Sequence, residues 1–455
     1  MKWVPHAYQK KIVQFMIERA TAGIFADPGL GKTITTLTAF SLLRKKGYVR
    51  RMLVVAPLRP CYSVWPAEAK KWDHTAHLKV SVLHGPDKAK RLAEGADIFV
   101  INPEGLDWLS RTMTNFDGFM LVVDESTRFK HAQTQRFKTL KPLLQKFSRR
   151  YILTGSPAPN GLLDLFGQIF ILDLGNALGR FITHYRSQFF DSTGYQGYVW
   201  LPRPGSEEAI YAKLKPLVLR MAGEDYLDLP PLINNTVEVE LPDAAMRQYE
   251  MMEDQLLTAV NDDVITAANA AAATGKCRQI ANGGIYHEGG EKWSHVHEAK
   301  LDAVEEIIEE LGGKPCLVAY EYKHDLDRLR KRFGADVPYI GGGVSAGRFR
   351  EIEAAWNAGT IPILLAQPQS VAHGLNLQGT GAAVIWHSLT WDLEVYEQFV
   401  RRVWRQGQKE RVVVHHIVAK GTIDEVIMKM LTKKDKTQRA LLDALKTHLK
   451  GRKAA

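Results

Sequence analysis

GIFADPGLGKTITTLTAFSLLRK, residues 23–45, decides the fold. A short apolar run leads into a turn with glycines at 29 and 31, and a helical pattern begins at Lys32 and Thr33. Strand, glycine turn and helix in that order are the setting of a phosphate loop, here with Ala26 in place of the pattern's first glycine. Two glycines let the backbone curl until its amides surround phosphate oxygens, and the helix adds its positive end. Lys32 is placed to reach β and γ phosphates, and Thr33 to hold Mg²⁺. Pro28, Gly29, Leu30, Gly31, Lys32, Thr33 and Ile34 are therefore candidate nucleotide contacts.

Working outward, similar apolar runs recur between helical stretches: RMLVVAP (51–57), ADIFVIN (96–102), GFMLVVDE (118–125) and RYILTG (150–155). A second series follows with CLVAY (316–320), IPILLA (361–366), AAVIWH (382–387) and VVVHHIV (412–418). Continuous rather than alternating apolar runs mean strands covered on both faces, hence parallel sheets with helical crossovers. The fold class is α/β, with two tandem doubly wound lobes. We expect a first lobe over residues 1–220 with helical insertions from about 161, an inter-lobe linker over 221–240, and a second lobe over 241–455. The second lobe would carry a helical insertion to about 295 and basic C-terminal helices. LPPLINNTVEVELP (229–242) has the prolines and extended residues of a crossing between lobes.

The run FMLVV ends in Asp124 and Glu125, where a carboxylate leaving a parallel sheet meets a ligand. Asp124 is the second candidate Mg²⁺ anchor, and Glu125 the residue that orients or activates water. Phosphate loop and acidic pair together identify an ATPase, with ATP and Mg²⁺ as its ligands.

Of 455 residues, 45% are hydrophobic and 24% charged, which fits ordinary globular domains. The three cysteines form no CxxC pair, which argues against a disulfide framework and suits a reducing compartment. No apolar leader opens the chain and no window approaches a membrane span, so a cytoplasmic location is expected. Net charge is +10, and residues 401–455 alone hold 15 Lys+Arg against 5 Asp+Glu. A basic end of that kind suits a polyanion. Cys277, His287, His295 and His297 match no standard zinc spacing, and GGGVSAG (341–347) lacks the context of a dinucleotide loop.

The order of segments resembles the Swi/Snf-type branch of the superfamily-two helicase-like ATPases, in a compact form like those of phages and bacteria. The resemblance runs nearly end to end, from PHAYQ to GTIDEVI. DPGLGKT (27–33) is similar to motif I, LVVAPLRPCYSVWPAEAKKW (53–72) to motif Ia, DEST (124–127) to motif II, LTGSPAPN (153–160) to motif III and HGLNL (373–377) to motif V. QFVRRVWRQGQ (398–408) resembles motif VI at Gln398, Arg402, Arg405, Gly407 and Gln408, with Trp391 seven residues upstream. The resemblance implies two RecA-like lobes, Gln9 at the adenine edge, and Arg402 and Arg405 as arginine fingers from the second lobe. Ser126 and Thr127 stand where many relatives have alanine and histidine, and Trp404 where they often have histidine.

By the same resemblance Arg59, Asn102, Asn376 and Trp391 are candidates for gripping a nucleic-acid backbone, contacts that carry no sequence information. The expected activity is a DNA-stimulated, ATP-dependent translocase on duplex DNA, acting as a monomer in a bacterial or phage-infected cell. A nuclease or a displaced DNA-bound protein is a possible partner. The alternatives are a strand-separating DNA or RNA helicase, and an ATP-gated clamp with negligible turnover.

Overall fold

The computed structural model describes residues 1–155, 157–158, 161–193, 199–221, 226, 230–261, 267–287, 292–371, 377, 383–405, 408 and 410–433. The chain divides into two units, Met1–Asp228 and Leu229–Ala455.

The first unit is built on a seven-stranded sheet. Its strands are Thr21–Ala26 (β1), Arg51–Val55 (β2), Val80–Val82 (β3), Ile98–Ile101 (β4), Phe119–Asp124 (β5) and Arg149–Thr154 (β6). Phe190–Thr193 (β7) and Val199–Pro202 (β8) form a separate antiparallel hairpin, and Val218–Met221 (β9) completes the sheet. The order is β3-β4-β2-β5-β6-β1-β9, and every pairing is parallel. Alternate residues of one strand enter two different cores: Leu53 and Val55 pack on one side, Met52 and Val54 on the other. That two-sided burial is why the runs are continuously apolar.

Parallel pairing sends every strand's C-terminal end to the same edge. The loop after β1 and the acidic pair ending β5 therefore emerge together, separated only by β6, or about 10 Å. Two helices frame the loop: Ala7–Glu18 (α1) before it and Lys32–Lys45 (α2) after it.

In the second unit Leu232–Val239 (β10) precedes a two-stranded hairpin, Gly284–Tyr286 (β11) and Trp293–His295 (β12). The strands Cys316–Ala319 (β13), Tyr339–Ile340 (β14), Ile363–Ala366 (β15), Ala383–Trp386 (β16) and Val412–Ala419 (β17) follow. The six-stranded sheet runs β10-β17-β16-β13-β15-β14, again wholly parallel. Both its faces are covered: Leu317 and Ala319 enter one core, Cys316 and Val318 the other.

Both sheets contain strands that the apolar runs did not mark. β9 lies beside β1, at the end of the first stretch read as helical insertion; the hairpin β7–β8 lies in that stretch and the hairpin β11–β12 in the second one. β10 occupies the region read as crossing and pairs along its full length with β17, from Leu232 opposite Val412 to Val239 opposite Ala419. Trp404, where relatives often have histidine, donates its indole N–H to Pro230 O at 2.8 Å and so anchors the segment leading into β10. Among the described residues no helix is long and apolar enough to cross a membrane. No cluster of three or more His, Cys, Asp or Glu able to hold a metal occurs among them either.

One buried ion pair supports the second unit. Lys300 Nζ lies 2.5 Å from Asp424 Oδ2, both side chains almost wholly buried, and also donates to Asn282 Oδ1 at 2.9 Å. Breaking such a pair strands a charge in the interior, so Lys300→Met should cost about 3–5 kcal/mol. The urea midpoint should fall accordingly, and Lys300→Met with Asp424→Leu should regain part of the loss because no lone charge remains.

Candidate functional site

The phosphate loop needs backbone angles that side chains disfavour. Gly29 has φ +93° and Gly31 φ +79°, and Gly31 is the residue that caps α2. At Gly31 space adds a second constraint, because a Cβ there would lie 2.6 Å from Gln9 Nε2. Gln9, in the first turn of α1, is buried, and its Oε1 accepts from His6 N at 3.0 Å. The expected adenine-edge residue is thus held beside the loop by its own helix start. Leu30 is buried beneath the turn, as is Ile34 at the start of α2. Lys32 donates to Ala26 O at 2.6 Å, which folds its side chain back across the loop.

Across β6, Asp124 accepts from Trp65 Nε1 at 3.0 Å and from Glu125 N at 3.1 Å. Desolvation pushes its carboxyl above the usual range, Glu125's charge pushes the same way, and Lys32 opposes them. The Asp124 carboxylate, on the sheet edge beside the loop that leads into Thr33, is an oxygen donor of the kind a divalent cation takes, so the two residues fit Mg²⁺. Trp65, on the helix Trp65–Lys71, was not anticipated; its only sequence signal is a tryptophan within the segment similar to motif Ia.

Glu125 is held in the left-handed region at φ 49°, ψ 59°, where among the described non-glycine residues only Leu174 joins it. A non-glycine residue held there costs on the order of 1–3 kcal/mol and persists only where its surroundings fix it, a pattern concentrated at active sites. Its Oε2 is buried without a hydrogen-bond partner among the described residues. An acceptor in that condition suits a water molecule about to lose a proton. β6 ends beside the same loop: a Cβ on Gly155 would lie 3.0 Å from Pro28 Cδ. Lys32, Asp124, Gln9 and the loop are therefore brought together within the first unit.

The nucleic-acid candidates lie in varied surroundings. Arg59 sits half-buried on the helix Leu58–Ser63, and burial lowers its guanidinium pKa. Asn102, at the end of β4, is buried and donates to Glu104 Oε2 at 2.8 Å, so part of its capacity serves the local turn. Asn376 lies outside the described residues, as do Gly407 and most of HGLNL. Trp391 is half-buried with the Arg278 guanidinium 4.6 Å from its ring centre. Arg278, itself buried and donating to Leu389 O at 2.6 Å, gave no sequence signal.

Arg402 lies in the last turn of the helix Leu393–Val403, and Arg405 just beyond it. The flanking glutamines are both buried. Gln398 donates to Glu394 Oε1 at 3.0 Å, while Gln408 accepts from Glu410 N at 3.0 Å and reaches Val403 O at 3.4 Å. Gln408 thus ties the turn that follows the helix to Val403 O and Glu410 N, while Gln398 bonds another side chain of its own helix.

The SNF2-related domain model matches residues 8–283, and the helicase conserved C-terminal domain model matches 299–407. The chain is 37% identical to protein p41 of Acyrthosiphon pisum secondary endosymbiont phage 1, covering 98% of this chain and 99% of that protein. It is 25% identical to a SWI/SNF-related matrix-associated actin-dependent regulator of chromatin subfamily A-like protein 1 of Xenopus tropicalis, over 94% of this chain and 44% of that one. It is also 25% identical to the mouse DNA annealing helicase and endonuclease ZRANB3, over 97% and 41%. The chain thus spans less than half the length of these two vertebrate relatives. Among solved structures, the Sulfolobus solfataricus SWI2/SNF2 ATPase core in complex with dsDNA superposes with a TM-score of 0.47 at 25% identity, over 95% of this chain and 92% of that one. With a family model matching more than half its length, the chain belongs to the SNF2-related family of superfamily-two helicase-like ATPases.

Proposed function

We propose that the protein hydrolyses ATP in response to duplex DNA and uses the cycle to move along it without reading its sequence. Glu125 carries this reading: its backbone is strained, and its carboxylate has a buried oxygen with no partner among the described residues, next to Asp124 and on the same sheet edge as the phosphate loop. A passive nucleotide binder has no use for such a group.

Each residue then has a role. Gln9 meets the adenine edge, the loop amides and Lys32 hold the β and γ phosphates, and Glu125 orients the attacking water and accepts its proton. Thr33 and Asp124 would hold Mg²⁺, which supplies positive charge to the phosphates when bound. Arg402 and Arg405 contribute planar guanidinium donors to the charge that develops on the transferred phosphoryl group. Arg59, Asn102, Asn376 and Trp391 contact the nucleic-acid backbone, and the basic end of the chain adds unspecific affinity. The name of the mouse relative, a DNA annealing helicase, supports DNA as the polymer. We place the protein in the cytoplasm of a bacterial or phage-infected cell, acting as a monomer, with a nuclease or displaced DNA-bound protein as partner.

Steady-state ATPase assays with duplex DNA, single strands and RNA test the proposal. Duplex DNA should raise turnover most, the stimulation should fall as salt rises, and a third strand should be displaced from a triplex. Turnover that no polymer stimulates would contradict the DNA role. Stronger stimulation by single strands would favour strand separation, and nucleotide binding with negligible turnover would indicate a clamp.

A further inference from the structure

The helix Leu165–Asp173, LFGQIFILD, is buried along its whole length yet carries an amide, Gln168, at 0% exposure. A buried amide must find partners for both its oxygen and its nitrogen. Gln168 finds them in two different segments. Its Oε1 accepts from Ser126 Oγ at 2.7 Å, while its Nε2 donates to Pro157 O at 2.5 Å and to Asp164 O at 2.8 Å. Ser126 directly follows Glu125. Pro157 lies two residues after Gly155, the glycine that closely approaches Pro28 of the phosphate loop. One side chain therefore joins the turn after the acidic pair to the segment beside the phosphate-binding backbone.

Two contacts brace the same junction. Gly167 brings the helix backbone directly onto the carbonyls of Phe129 and Lys130, leaving no room for a Cβ. Lys130 Nζ pairs with Asp164 Oδ2 at 3.3 Å, with the carboxylate buried. Glu125 is left-handed, and such a residue stays so only where its surroundings over-determine it. Here the surroundings are the turn Ser126–Phe129, and that turn is held by the helix bearing Gln168.

We propose that Gln168 is a positioning residue for ATP hydrolysis. Through Ser126 it keeps Glu125 in its left-handed conformation, and through Pro157 it ties that conformation to the loop beside the phosphates, so that a bound nucleotide is felt at the carboxylate. Ser126 and Gln168 thus provide a link from the acidic pair to the segment after β6 in a chain with threonine at position 127. The inference rests on the ATPase reading above and goes beyond it.

The test compares kcat and ATP KM, with saturating duplex DNA, for wild type, Ser126→Ala, Gln168→Met, the double variant and Glu125→Gln. Methionine keeps the volume and removes every hydrogen bond. Gln168→Met should lower kcat about tenfold or more with ATP KM within about threefold, because the loss is one of orientation rather than binding. Ser126→Ala should lower kcat less, and the double variant should be no slower than Gln168→Met, since both changes cut one link. Thermal unfolding of each variant identifies those that fold; should Gln168→Met fail to fold, Ser126→Ala decides. Unchanged kcat in folded variants, a rise in KM alone, or additive losses in the double variant would overturn the positioning role. If wild type turns over, Glu125→Gln does not and Gln168→Met matches wild type, the inference fails while the ATPase reading stands. A wild-type chain that hydrolyses no ATP would overturn both.

Discussion

Glu125→Gln is expected to bind ATP with nearly wild-type affinity and to hydrolyse it about 10²-fold to 10⁴-fold more slowly, the range for removal of a general base. Glutamine keeps the shape of the side chain and removes the negative charge. It can still approach a water molecule, but it cannot take its proton at neutral pH. Binding should survive because the groups expected to hold the phosphates, the loop amides and Lys32, belong to a different strand end. The backbone at position 125 is strained with either side chain, so stability should change little. Equilibrium binding of a fluorescent ATP analogue, set beside single-turnover hydrolysis with duplex DNA, separates the two effects. Equal loss of binding and turnover would move Glu125 from the chemical step to a structural one.

The second large effect is expected in the other unit. Arg402→Ala and Arg405→Ala should each lower DNA-stimulated kcat by about 10³-fold, the lower end of the range for an arginine finger, since two residues share the task. Lysine at either position should recover little, because one ammonium cannot reproduce a fork of planar donors. Nucleotide affinity should be changed far less than turnover, since developing charge exists only in the transition state. The buried glutamines at 398 and 408 act differently. They hydrogen-bond within their own segment, so their loss should destabilise the helix end as well as slow turnover. Paired measurements of kcat and urea midpoint distinguish the two classes of residue.

Residues covered on both faces were the ones whose secondary structure could be read from the chain. β1, β2, β4, β5, β6, β13, β15, β16 and β17 are short apolar runs because helices cover both sides of each sheet. β10, LINNTVEV, sits at a sheet edge with most side chains exposed, so its composition is that of a linker and only its pairing with β17 reveals it. β9 is four residues long, also at an edge, and only Met221 in it is fully buried. The phosphate loop and acidic pair were legible because their chemistry fixes residue type at fixed spacing. Trp65, Arg278 and Gln168 were not, because they act across 59, 111 and 42 residues of chain. Gln168 did leave one trace, a lone amide inside an otherwise apolar helix, and a buried amide requires a partner.

Under the proposed function, nucleotide bound by the first unit is turned over with charge supplied by the second. A crystal structure of the Glu125→Gln chain with ATP, Mg²⁺ and duplex DNA tests it most directly. The γ phosphate is expected within hydrogen-bond distance of the Arg402 and Arg405 guanidinium groups, with Lys32 on the same phosphates. Density showing both arginines turned away from the triphosphate, with DNA bound, would contradict it.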